Sequence, residues 1–240
     1  MNTTNTLLAL SMTLAFATPS FAQMEGFYGT AHLGASQQLN DSSAYGNNIA
    51  VDSDFPGKFD AGDGTVGGFG IGYKFNNQFR VEGRMSYHDS SFNSQQFGTG
   101  ARDGEEYILK GKVENTSYTI EGFYDFANDS AFTPYIKAGI GISDNSYSAK
   151  LGGAGVAAFD AFDGSVDGYY DNYADGDSTE FSWNAGVGVN YQISERASVY
   201  GEYQYASFGD AKTGQDSFTD GFKIDDLATN EFVLGVRVNF

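Results

Sequence analysis

Apolar and polar residues alternate with period two along most of this chain, the signature of strands with one greasy and one wet face. Residues 25–35 set Phe27, Gly29, Ala31, Leu33 and Ala35 against Tyr28, Thr30, His32 and Gly34. Residues 65–75 set Phe69, Ile71, Tyr73 and Phe75 against Gly68, Gly70, Gly72 and Lys74, and residues 79–88 set Phe79, Val81, Met85 and Tyr87 against Arg80, Glu82, Arg84 and His88. The pattern returns at 118–126, 134–142, 181–191 and 198–205. It ends in residues 230–240, where Phe232, Leu234, Val236, Val238 and Phe240 share one side. Eight strands are therefore predicted. Short turns at 76–78, 128–130 and 193–196 alternate with polar loops at 36–63, 89–111, 144–178 and 209–228. A final strand with an open edge is a liability, and pairing it with the first strand closes a barrel.

Alternation does not say which face is inside, since a soluble ligand-carrying barrel also has eight strands. Three features decide. Aromatics of the apolar face gather at strand ends: Tyr73, Phe75, Phe79, Tyr124, Phe126, Tyr191 and Phe240 at the turn side, and Tyr87, Tyr118, Phe181, Trp183, Tyr203, Tyr205 and Phe232 at the loop side. Two such bands are the girdles of two membrane interfaces. The centre of that face carries no charge. The opposite face balances Lys74, Arg80, Arg84, Lys137 and Arg237 against Glu82, Glu121, Asp125 and Glu202, as a low-dielectric bore requires. The expected fold is all-β: an eight-stranded antiparallel up-and-down transmembrane barrel with short periplasmic turns and long extracellular loops.

Composition refines this picture. The 240 residues carry a net charge of −18, no cysteine and 32 glycines. So acidic a surface excludes nucleic acid as a partner and attracts cations. The absence of cysteine excludes disulfides and thiolate chemistry. Residues 7–17 form an apolar run, followed by Pro19 and by Ser20-Phe21-Ala22 with small residues at −3 and −1 of a cut after Ala22. Residues 1–22 are therefore expected to be a cleaved export signal, although residues 1–6 lack Lys and Arg. Residues 23–240 are expected to form one barrel domain.

The export signal, eight alternating strands, short turns, long loops and aromatic final strand together resemble the small outer-membrane β-barrel family. That family includes OmpA-type transmembrane domains, OmpX-like proteins and opacity-type adhesins, often called porin family proteins. The resemblance spans residues 23–240 and is architectural. Its specific part is Leu234-Gly235-Val236-Arg237-Val238-Asn239-Phe240, similar to the family's C-terminal assembly signal. It implies that the barrel-assembly machinery reads Leu234, Val236, Val238 and Phe240. It also implies a Gram-negative outer membrane with lipid and lipopolysaccharide as surroundings, and an extracellular ligand or host surface as a partner. A peptidoglycan-binding domain like that of OmpA is not expected here, nor a cell-wall tether.

Three sets of residues are candidates for chemistry. Lys74, Arg80, Glu82, Arg84, Glu121, Asp125, Lys137, Glu202 and Arg237 are expected to fill the bore with salt bridges, because eight strands enclose little more than side chains. A gated pore lined by Arg80, Arg84 and Glu121 is the alternative. His88-Asp89-Ser90 offers the residue types of acyl hydrolysis, but no oxyanion donor can be named, and no catalytic residue is expected. His32 is expected to make a hydrogen bond in the bore. Asp60, Asp63, Asp175 and Asp177 offer oxygen ligands for a hard cation such as Ca²⁺ without an ordered calcium-loop motif. No cofactor is expected. The sequence predicts a non-enzymatic integral barrel with a structural or surface-interaction role. A small-solute channel and a lipid-modifying enzyme stand behind it.

Overall fold

The computed structural model describes residues 26–46, 53–155, 169–214 and 221–240. The expected export signal, residues 1–22, lies outside them. Eight antiparallel strands close a ring: β1 (Phe27–Gln38), β3 (Gly64–Lys74), β4 (Phe79–Phe97), β5 (Glu106–Asp125), β6 (Phe132–Gly152), β7 (Tyr169–Gln192), β8 (Ala197–Ser207) and β11 (Ala228–Asn239). The expected eight-stranded barrel is borne out. Closure comes from β11, which pairs with β8 on one side and β1 on the other, setting Leu234 opposite Leu33 and Val238 opposite Gly29.

The apolar stripes face outward. Leu33, Ile71, Ile120, Ile140 and Leu234 are each more than 60% exposed, which water would penalise by about 25 cal/mol for each Å² and lipid does not. Aromatic rings band this face in contact with one another. At the turn end Phe79 meets Tyr124 at 5.1 Å and Phe132 meets Tyr191 at 4.7 Å; at the loop end Trp183 meets Tyr205 at 5.2 Å and Tyr203 meets Phe232 at 4.9 Å.

Strands β4 to β7 run well past the upper girdle. A tilted strand crosses a bilayer in about 9–11 residues, while β6 has 21 residues and β7 has 24. The stretches 89–111 and 144–178, expected to be loops, are thus in large part strand. The backbone keeps its alternation, but polarity changes sides. On β5, Tyr118 and Ile120 point out to lipid, whereas Glu114, Lys112 and Lys110 point out above them, and Val113, Leu109 and Tyr107 turn inward and are buried. On β6 the outward residues change from Ile140 and Ile142 to Asp144 and Lys150, with Tyr147, Ala149 and Leu151 buried within. The medium outside has changed from lipid to water, so the greasy side has moved in.

The remaining loops cover this inverted face. Strand β2 (Ser43–Tyr45) pairs with β10 (Gly221–Ile224), which pairs with β9 (Ala211–Lys212), so the β1–β3 and β8–β11 connections share a small sheet. Under it lies an apolar core that includes Phe55, Phe59, Phe92, Leu109, Tyr147, Leu151, Phe222 and Ile224. The Phe59 ring meets Phe222 at 5.8 Å and Phe55 meets Tyr107 at 4.9 Å. Each fully buried ring or leucine contributes about 1.5–3 kcal/mol, so the cap has its own source of order.

Candidate functional site

The inward residues lie in layers between the turn end and the cap. Alternation places Arg80, Glu82, Arg84, Ser86 and His88 on the inner side of β4, one above another. Near the turn end, Arg80 Nε sits 3.2 and 3.1 Å from the two Asp125 oxygens, and its guanidinium stacks 3.7 Å from the Phe123 ring centroid. One layer higher, Arg84 Nε lies 2.9 Å from Glu82 and 3.4 Å from Glu121, while Nη1 lies 3.0 Å from Glu202. Lys137 Nζ closes the ring at 3.0 Å from Glu121 and 2.7 Å from Glu202. Neutral donors complete it: Thr30 donates to Glu82 at 2.9 Å, Tyr135 to Glu202 at 3.0 Å and Asn184 to Glu121 at 3.0 Å. Charges so far from water need partners of this quality, because an unpaired one costs several kcal/mol. The space left among Arg84, Glu82, Phe123, Tyr135, Tyr200 and Arg237 has no room for a water-sized sphere.

A second polar layer lies above. His32 Nε2 and Ser86 Oγ are 3.1 Å apart. His88 Nε2 lies 2.8 Å from Glu231 Oε1, which also accepts from Thr229 at 2.8 Å, and Gln204 donates to the other Glu231 oxygen at 2.5 Å. Asn115, Ser143 and Asn145 hydrogen-bond to one another beside them.

Of the charged residues singled out in the sequence, seven meet in two clusters: Arg80 with Asp125, and Glu82, Arg84, Glu121, Lys137 and Glu202. Two stand apart. Lys74 is exposed at the turn end, and Arg237 lies over the Tyr28 ring, 5.4 Å from its centroid, with no carboxylate in contact among the described residues. Glu231 was missed. Its signal was present, since it lies in the predicted final strand and shares strand parity with Val233 and Arg237, but it stands at the loop end of that strand, away from the charges expected in the bore.

The candidate hydrolytic residues do not converge. His88 faces Glu231; Asp89 points outward to Lys112 at 3.3 Å; Ser90 Oγ donates to loop carbonyls, including Gly62 at 3.1 Å. Asp60, Asp63, Asp175 and Asp177 are all exposed. Among the described residues no group of three His, Asp or Glu side chains is placed to hold a metal ion.

A family model described as the outer membrane protein beta-barrel domain matches residues 7–240. The chain belongs to that family. Like its fellow outer-membrane barrels, it is an integral protein of a Gram-negative outer membrane. It is similar to outer membrane protein PagN of Salmonella typhimurium (strain LT2), with 28% identity over 236 residues and 90% of each chain covered. In fold it is similar to the outer membrane protein OprG of Pseudomonas aeruginosa, with TM-score 0.52, 19% identity, and 90% of this chain and 96% of that one covered. Neisserial surface protein A aligns with TM-score 0.48 and 19% identity over 90% of this chain and 97% of its own. For this outer-membrane barrel, lipid explains the outward apolar stripe, and the narrow bore explains the ionic layer.

Proposed function

We propose that this protein is a non-enzymatic surface barrel whose bore is closed and whose extracellular cap meets a ligand or a host surface. The Arg84 layer carries the reading: one guanidinium and one ammonium are shared among Glu82, Glu121 and Glu202 at mid-height, and opening a path would leave those charges unpaired. The divergence of His88, Asp89 and Ser90 supports the absence of hydrolytic chemistry. The buried cap core supports a shaped, ordered outer surface. In the same reading lipopolysaccharide surrounds the upper girdle, and the barrel-assembly machinery reads Leu234, Val236, Val238 and Phe240 on the outer face of β11.

Planar-bilayer recordings on the purified mature protein test the closed bore. No steady unitary conductance is expected. Reproducible channels that persist after repurification would replace it with a small-solute channel.

A further inference from the structure

The turn end of the barrel is hollow. A cavity of about 450 Å³ opens there and ends blindly at the Arg80–Asp125 pair. Its lining includes Lys74, Arg80, Asn190, Ser198 and Arg237, together with the acids Asp125 and Glu195.

Among the described residues, four groups in this wall lack a hydrogen-bond or ion-pair partner. Arg80, Arg84 and Lys137, the other inward cations, each contact a carboxylate. Arg237 does not: among the described residues its guanidinium has no hydrogen bond or ion pair, only the Tyr28 ring. Lys74, at the mouth, has neither. Asn190 Oδ1 and Ser198 Oγ are buried without a hydrogen-bond partner, although their residues are only 6% and 4% exposed. Buried polar groups are nearly always satisfied, so unsatisfied ones around a roomy cavity point to something that fills it. The acids nearby do not neutralise Arg237. Asp125 is held by Arg80, and Glu195 is exposed on the β7–β8 turn.

We propose that this vestibule is a periplasm-facing binding site for a small oxyanion, a phosphate or carboxylate group, with Arg237 as its principal ligand. A guanidinium presents a planar fork that matches two oxygens of such a group. Lys74 adds a second positive charge, and the Ser198 hydroxyl can donate to a third oxygen. The Asn190 amide can accept from a hydroxyl on a larger ligand. Two free cations facing one cavity, in a chain of net charge −18, attract an anion rather than a metal. The ligand enters from the periplasm, since the Arg84 layer blocks the way from above.

The test is an NMR titration of the mature protein refolded in nanodiscs, at constant ionic strength. Inorganic phosphate is one arm, succinate the second and chloride the control. Saturable shifts are expected at the Arg237 side chain and at the Asn190 and Ser198 amides, from at least one oxyanion and not from chloride. The arm that saturates first identifies the group. R237Q is expected to weaken binding ten- to a hundredfold, as the loss of a charge-assisted pair does, and K74Q severalfold. Ser148→Ala, on the outer face of β6, is expected to leave it unchanged. If R237Q fails to fold, as judged by heat-modifiable gel migration, K74Q and Ser198→Ala decide. Shifts that never saturate, that chloride reproduces, or that persist unchanged in the vestibule variants would overturn the proposal.

Discussion

Arg84 and Glu202 stand on opposite walls of the barrel, four strands apart in the ring in either direction, and their charged groups are 3.0 Å apart. The pair therefore crosses the whole bore. Removing the cation leaves Glu121 and Glu202 on Lys137 alone and Glu82 with only the Thr30 hydroxyl. Arg84→Ala is expected to destabilise the barrel by about 3–5 kcal/mol, the usual cost of orphaning a buried charge. Arg84→Lys keeps the charge but loses the fork that reaches three carboxylates, and should fall between. Urea unfolding in lipid vesicles, followed by the gel shift of the folded form, measures both.

Inward glycines make room for the rings beneath this layer. A Cβ on Gly235 would clash with the phenol end of Tyr200, and one on Gly72 with that of Tyr28. Gly235→Ala is expected to cost about 1–3 kcal/mol through overpacking. The cost should shrink when Tyr200→Leu is made in the same chain, because the clash is with that one side chain. A double-mutant cycle checks this, and strictly additive effects would show that the strain lies elsewhere.

The cap stands on its own core. Phe59 is fully buried between Phe55 and Phe222. Phe59→Ala is expected to cost about 3–5 kcal/mol locally and to open the cap without dissolving the barrel below. Limited proteolysis on intact cells should then cut the β1–β3 and β8–β11 connections quickly, while heat-modifiable migration stays as in the wild type. Loss of both together would mean that cap and barrel fold as one unit.

The sequence carried the membrane-embedded half clearly and the upper half poorly, for one physical reason. Below the girdle an apolar lipid-facing stripe alternates with an inward stripe that carries the charges, as at Phe79 to Tyr87 against Arg80 to His88, even though rings such as Phe123 and Tyr200 also point inward. Above it, both the outer residues (Ser91, Asn93, Gln95) and the loop composition are polar, so the strands read as loop. The buried Phe92, Leu109, Tyr147 and Leu151 held the missing signal: a change in phase of an unbroken period. Pairing across the bore could not be read at all. Strand parity places Arg84 and Glu202 inside, but closure and stagger decide that they meet.

The outward charges just above the girdle give a modest pH dependence. The Tyr87 hydroxyl donates to Glu114, and Lys112 lies 2.9 Å from it; these contacts, the Tyr87 hydrogen bond foremost, hold the Glu114 carboxyl below its ordinary value of 4.5. A depressed carboxylate adds stability that is present above the ordinary value and lost as pH falls through the folded one. Glu114 is 39% exposed, so the effect is expected to be a few tenths of a kcal/mol. Tyr87→Phe should move the Glu114 titration back up. Carboxyl-detected NMR reads this directly; an unmoved midpoint would assign the shift to Lys112 instead.

The change of medium along the outer face can be tested most directly because the sequence has no cysteine. Single cysteines at 108, 110, 112, 114, 118, 120 and 122, the outward positions of β5 below and above residue 116, can each carry a spin label in the protein reconstituted in bilayers. Labels at 118, 120 and 122 are expected to relax with oxygen, as in lipid. Those from 114 down to 108 should relax with a water-soluble nickel complex, with one switch between 118 and 114. Water-like accessibility at 120 and 122, or no switch along the strand, would contradict it.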